Sequence, residues 1–299
     1  MDLTSIRERV LIDVLRWTPK GTLSRLLGYC ARRPIPRRLR RPLFTAFARR
    51  VGADLGEVEL PLDDYASLDA FFTRGLRPGA RPIPSDGATV ISPCDGTVSA
   101  IGVAEGGHLI QAKGKAYTLA DLLADDAAAA RFAGGPYVTI YLSPRDYHRV
   151  HFAVDGPVTG FQHVPGTCFP VNAAAVKHVD RLFARNERLV TYQDTGGGEI
   201  ATVMVAATGV GHMTVTYDAV ETHMPRRGRP GPRVRFAAGR AARRGDELGA
   251  FHLGSTVILL FEPGRVRLRP LEPGARIRLG DPLGERASAR RTHRGDAAA

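Results

Sequence analysis

The chain has 299 residues, 43% of them apolar and 24% charged, with a formal net charge of +12. That is enough apolar side chain to bury one large core and a smaller accessory segment, which excludes a disordered chain. The three cysteines, Cys30, Cys94 and Cys168, are odd in number and far apart, which argues against a disulfide framework and for a reducing compartment.

The first fifty residues hold thirteen basic side chains against three acidic ones, a local net charge of +10. Such a face can meet DNA, RNA or an anionic bilayer. Only four of the 42 basic residues are lysine, so compositional bias accounts for part of the arginine excess. The opening Met-Asp-Leu-Thr lacks the pattern of a signal peptide, and the protein is expected to stay inside the cell. Ile6, Val10, Leu11, Val14 and Trp17 fall at helical spacing. A second short helix is expected around Leu23, Leu26 and Leu27, and a third around Leu39, Leu43, Phe44 and Phe47. Basic amphipathic helices of this kind suit a bilayer interface, although the same pattern serves a helix packed on a core.

From about residue 58 the chain is expected to be β-rich. A helical piece with Leu68, Phe71 and Phe72 leads in. Short apolar runs then recur at Thr97–Val103, Tyr137–Leu142, His151–Val154, Ala201–Ala206, Met213–Tyr217, Val234–Phe236 and Val257–Phe261, separated by Gly and Pro. Ala120–Phe132 reads as one short helix and Ser143–Tyr147 as a Ser-capped turn. Ile200–Tyr217 is long enough to span a bilayer, but it is rich in Val and Thr and broken by Gly209 and Gly211, so two strands joined by a turn are expected. Residues 225–245 read as an exposed basic loop. The fold class is α+β: a basic helical segment over 1–57, a β-rich domain over 58–284 and a disordered basic tail over 285–299.

One stretch suggests chemistry. In Phe251-His252-Leu253-Gly254-Ser255-Thr256 a Gly-Ser pair enters the apolar run Val257–Phe261. Glycine tolerates a strained backbone, so the Ser255 hydroxyl can face the carbonyl carbon of its own preceding peptide bond. Attack there makes an ester; elimination and hydrolysis then leave a pyruvoyl ketone at the new N-terminus. Such a ketone condenses with a primary amine to a Schiff base and takes up the electrons released by decarboxylation. By itself, Gly-Ser-Thr before a strand is an ordinary turn.

Two further stretches, Ser92-Pro93-Cys94-Asp95-Gly96-Thr97-Val98 and Tyr141-Leu142-Ser143-Pro144-Arg145-Asp146-Tyr147-His148-Arg149-Val150-His151, change that reading. With the Leu-Gly-Ser-Thr stretch they resemble the phosphatidylserine decarboxylase proenzyme family. The likeness continues in Phe71-Phe72-Thr73-Arg74, Gly79-Ala80-Arg81-Pro82-Ile83, Lys113-Gly114 with Tyr117-Thr118-Leu119, Phe169-Pro170-Val171-Asn172 and Leu182-Phe183-Ala184-Arg185-Asn186-Glu187-Arg188, in the family's order over roughly residues 65–284.

A serine hydroxyl needs a base to act near neutral pH, commonly a histidine oriented by a carboxylate. Asp95, His151 and Ser255 can supply that set, and the resemblance assigns them to self-cleavage between Gly254 and Ser255. Read singly, they are a turn Asp, a strand-end His and a turn Ser. The resemblance gives His148 the reprotonation that follows decarboxylation, and it places Phe169, Val171 and Asn172 at the substrate pocket, where core packing is the alternative. Thr167-Cys168 departs from the family, which more often has an apolar residue at the second position. The two histidines lack a third ligand at convincing spacing, so no metal is expected. Cys94 reads as a small buried residue rather than a reactive thiol.

The resemblance further implies a covalent pyruvoyl cofactor derived from Ser255, phosphatidylserine as substrate, phosphatidylethanolamine as product, and large and small chains that stay together as a heterodimer. It implies peripheral attachment to an anionic membrane at the cytoplasmic face, with no nucleic-acid partner, and leaves any higher oligomer open. A decarboxylase of another serine-headed lipid and a Ser-His-Asp hydrolase with an intact chain are the rival readings.

Overall fold

The apolar run after Ser255 becomes the middle of the largest sheet. In the computed structural model, which describes residues 20–112, 115–208, 212–220, 222, 231–252 and 255–287, every residue of strand β13 (Ser255–Phe261) is buried. A strand covered on both faces shows no polar alternation, which is why it reads as a continuous apolar run. The sheet has eight strands in the order β11 (Val234–Arg240), β7 (Val158–Val164), β8 (Arg188–Asp194), β9 (Glu199–Val205), β13, β5 (Pro136–Leu142), β2 (Gly96–Val103) and β15 (Arg276–Ile277). Strand β13 runs antiparallel to both β9 and β5.

Its two faces serve two cores, because successive side chains point to opposite sides. Val257, Leu259 and Phe261 pack with Val138, Ile140, Leu142 and Met204. Ile258 and Leu260 pack with Val203, Val205, Phe169 and Val171 on the other side. Among the described residues three small sheets complete the β structure: β10 (Met213–Val215), β12 (Glu247–Phe251) and β6 (Arg149–His151); β1 (Thr89–Ile91), β16 (Pro282–Arg286) and β14 (Val266–Leu268); and the pair β3 (His108–Ala112) and β4 (Lys115–Thr118).

Helices α1 (Lys20–Ala31) and α2 (Arg37–Val51) match the second and third expected helices, while the one expected over residues 4–17 lies outside the described residues. On α2, Phe44 and Ala48 share a face and are buried. Phe44 stacks on Phe71 of α3 (Leu68–Phe72), with ring centroids 4.7 Å apart. Val58 and Tyr65 join the same small core. The packing therefore runs straight across residue 57, where the sequence suggested a boundary.

Several local expectations are corrected. The helix expected over Ala120–Phe132 is two, α4 (Leu119–Leu123) and α5 (Asp126–Phe132), because Ala124 turns left-handed and the Asp125 carboxylate takes the Ala128 N–H as a fresh N-cap. Strands β9 and β10 do form within Ile200–Tyr217, but in different sheets rather than as one hairpin. In the expected loop 225–245, Val234–Arg240 is an edge strand on β7. The expected tail begins two residues too early, since β16 runs to Arg286. No helix of the described residues is long and apolar enough to cross a membrane.

Candidate active site

Ser255 opens β13 opposite Leu142 of β5, so its side chain shares the face of Val257 and Leu259. The residue is fully buried, and its Oγ has no hydrogen-bond partner among the described residues. An unsatisfied buried hydroxyl costs about 1–3 kcal/mol, and such exceptions call for an explanation. Leu253 and Gly254, on the other side of the expected cleavage bond, lie outside the described residues.

His148 follows a turn built by Asp146 rather than by a serine cap. The Asp146 carboxylate accepts from the Ser143 amide at 2.7 Å, the Ser143 hydroxyl at 2.7 Å and Arg276 Nη2 at 2.6 Å. His148 Nδ1 lies 2.8 Å from the Asp146 carbonyl oxygen. A carbonyl only accepts, so Nδ1 carries the hydrogen and Nε2 is left with a lone pair. Nε2 is buried without a partner among the described residues, and the ring lies against Phe72 with centroids 4.0 Å apart. Burial, with a further push from Arg74, pulls the imidazole pKa down to about 3 against the opposing Asp146 carbonyl, so His148 is neutral at pH 7.

His151 on β6 follows the same logic. Nδ1–H donates to the Gly245 carbonyl at 2.8 Å, and Nε2 accepts from the Tyr147 hydroxyl at 3.1 Å. Burial lowers its pKa as well. Asp95 sits in the turn before β2, and the His151 amide donates to Pro93 O of that turn at 2.8 Å. Gly96 makes the turn possible, because a Cβ there would lie 2.6 Å from the Tyr141 carbonyl oxygen. The Asp95 carboxylate accepts from Arg81 Nε at 2.9 Å, Arg81 Nη2 at 2.6 Å and the Leu279 amide at 2.9 Å. Arg81 also binds Glu57 at 2.8 Å. The fold thus brings the Asp95 turn to the β6 backbone, while the side-chain hydrogen bonds of Asp95 and His151 run to other groups. The tie toward Ser255 is through β12, where the Phe251 amide donates to the His148 carbonyl at 3.0 Å.

Phe169 and Val171 belong to the core on the opposite face of β13 from the Ser255 side chain, the face of Thr256 and Ile258. Asn172 caps helix α6 (Ala173–His178) by accepting from the Ala175 amide at 3.0 Å. Cys168 and Ala206 lie on the Ser255 face. Cys94 is buried, and desolvation, aided by Asp95 and Asp146, pushes its thiol well up, which leaves it protonated. Among the described residues no cluster of His, Cys, Asp and Glu is arranged to hold a metal ion.

Sequence reasoning passed over three groups. Arg81 stood in a quoted motif without a role, Tyr147 stood immediately before the first of the two histidines, and Asp69 reaches His252 at 2.9 Å from 183 positions away. Long-range pairs of this kind leave no local pattern to read.

The family model for phosphatidylserine decarboxylase matches residues 68–285. A phosphatidylserine decarboxylase proenzyme of Anaeromyxobacter sp. (strain K) is 50% identical over 283 residues, covering 93% of this chain and 99% of the relative. One of Myxococcus xanthus (strain DK1622) is 43% identical over 280 residues, covering 93% and 99%. One of Brevibacillus brevis (strain 47) is 38% identical over 279 residues, covering 92% and 98%.

Proposed function

The chain belongs to the phosphatidylserine decarboxylase family, and from that premise we propose that it is a proenzyme that cuts itself between Gly254 and Ser255 and then converts phosphatidylserine to phosphatidylethanolamine. The observation that carries the reading is the Ser255 hydroxyl, buried at the head of the central strand and without a partner among the described residues.

The cut is an acyl shift. Ser255 Oγ attacks the Gly254 carbonyl carbon, its proton passes to a base, and the amide becomes an ester with a free amine on residue 255. Loss of the Cα proton expels the Gly254 carboxylate and leaves dehydroalanine. One water then replaces the nitrogen, which departs as ammonia, and a pyruvoyl group remains. Ser255 is both the nucleophile and the source of the cofactor, so no separate cradle is required.

His151 suits the base, since its Nε2 keeps a lone pair while Gly245 holds Nδ1–H. Tyr147 occupies that lone pair in this arrangement and yields it to the serine proton. Asp95, gripped by Arg81, puts negative charge near the ring and stabilises the imidazolium as it forms. In the mature enzyme the ketone supplies an electron sink for the carbon that loses carbon dioxide. His148, neutral and buried, has its Nε2 open to take up a proton and return it to carbon. Phe169 and Val171 brace the strand from behind, beside Thr256.

Membrane attachment is part of the proposal. Helices α1 and α2 expose Leu26, Leu27, Tyr29, Leu39 and Leu43 among Arg25, Arg32, Arg33, Arg37, Arg38 and Arg41. Apolar side chains set among arginines support a peripheral site on the anionic cytoplasmic face.

Intact mass spectrometry of the denatured protein tests the cut. Two chains are expected, one ending at Gly254 and one starting with a ketone in place of the Ser255 amine, with Ser255→Ala remaining whole. A single unmodified chain from folded protein would favour the intact hydrolase. Assays with diacyl phosphatidylserine and an ether-linked analogue separate the two lipid readings.

A further inference from the structure

His252, two residues before Gly254, is held on every side. Its Nδ1 lies 2.9 and 3.0 Å from the two carboxylate oxygens of Asp69. A carboxylate only accepts, so the imidazole donates through Nδ1. Its Nε2 faces the Thr214 hydroxyl at 3.3 Å, and its ring packs on His212 with centroids 4.2 Å apart. The His252 amide donates to the His212 carbonyl at 3.1 Å, and the preceding Phe251 amide donates to His148 O at 3.0 Å.

Asp69 is itself fixed. Ser67 caps α3 through the Ala70 amide, and the Asp69 carbonyl accepts from the Thr73 amide and hydroxyl, both at 2.9 Å. Asp69 and Phe72 stand three residues apart and so share a face of this short helix. The first reaches His252 and the second covers His148. Downstream, Ser255 is fixed by its pairing with Leu142. Only two residues connect these fixed points.

We infer that the Asp69–His252 pair is a positioning device for self-cleavage, holding the chain before Gly254 so that its carbonyl meets the Ser255 hydroxyl. The inference rests on the reading that the chain cuts itself at that bond. Attack on a neighbouring carbonyl needs a backbone held away from its relaxed geometry, and a tether on one side alone would let it relax. The device acts before the cut. Afterwards His252 lies two residues from the end of the large chain, with no covalent link to residue 255, and turnover no longer depends on its tension.

The test is a gel time course of cutting in full-length precursor made by cell-free translation. Asp69→Ala and His252→Ala are each expected to cut about tenfold to a hundredfold more slowly than wild type. Asp69→Asn, whose amide oxygen still accepts from Nδ1, is expected within roughly threefold of wild type. The double alanine variant is expected to be no slower than either single one, because both remove the same link. Once cutting is complete, kcat and KM of Asp69→Ala are expected within roughly threefold of wild type. Wild-type cutting in both alanine variants overturns the inference, as does failure of Asp69→Asn to rescue, or a fall in kcat that matches the fall in cutting rate. If Asp69→Ala does not fold, His252→Ala and Asp69→Asn decide by the same criteria. A wild-type precursor that stays whole overturns the self-cleavage reading itself, and this inference with it.

Discussion

Arg81 grips both carboxylate oxygens of Asp95, and both side chains are more than nine-tenths buried. Removing one partner of such a pair strands the other charge. Arg81→Met is expected to cost about 3–5 kcal/mol of stability and to slow cutting. Arg81→Met combined with Asp95→Asn is expected to recover most of the stability but none of the cutting. Urea denaturation on a Ser255→Ala background and gel time courses on the Ser255 parent read the two effects separately.

The depressed pKa of His148 predicts acid sensitivity. Between its unfolded value near 6.5 and its folded value of about 3, the unfolded chain binds a proton that the folded chain refuses, so stability rises with pH and falls on acidification. The loss between pH 7 and pH 5 is about 2 kcal/mol from this group. His151, shifted the same way by burial, adds to it. In His148→Gln the pH 7 to pH 5 difference in unfolding free energy is expected to shrink by roughly that amount. An unchanged difference would mean that His148 does not titrate as its burial requires.

Asn186 ties the Thr167–Phe169 segment to the sheet. Its Oδ1 accepts from the Phe169 amide at 2.9 Å, and its Nδ2 donates to Phe169 O and Ala206 O, each at 2.8 Å. Asn186→Leu keeps the branched shape and leaves those buried groups unsatisfied, at a cost of about 3 kcal/mol. Thermal unfolding of the uncut Ser255→Ala background measures it. Asn186→Asp, which would set a buried carboxylate oxygen against the Phe169 and Ala206 carbonyls, is expected to cost at least as much.

Membrane binding divides into charge and apolar parts. Arg37, Arg38 and Arg41 point outward, whereas Arg40 turns in and donates to Ile35 O and Asp63 O, both at 2.8 Å. Changing the three outward arginines to Ala is expected to weaken binding to vesicles rich in anionic lipid roughly a hundredfold, at about 1 kcal/mol each, and the difference is expected to vanish at high salt. Changing Leu26, Leu27, Leu39 and Leu43 to Ser is expected to weaken binding at every salt concentration. Vesicle sedimentation across a salt series checks both.

What the sequence made legible was local. The apolar run Val257–Phe261 announced a doubly covered strand, and Phe44 and Phe47 a helix with an inward face. Asp95, His148, His151 and Ser255 were named from motif order. Hidden were the relationships set by tertiary packing: the face of β13 on which Ser255 points, the separation of Phe169 and Val171 from that face, and the arginine that takes Asp95. The break at Ala124 was within reach, because Asp125 three residues before Ala128 is an N-cap pattern.

Strand β13 is hydrogen-bonded on both edges, to β9 and to β5. A nick just before it would leave the two polypeptides interleaved, neither owning a complete sheet. Melting such a protein releases two molecules where there was one, and recovery must await their encounter. Refolding of the nicked form would therefore depend on concentration, while the uncut Ser255→Ala chain would refold at a rate independent of it.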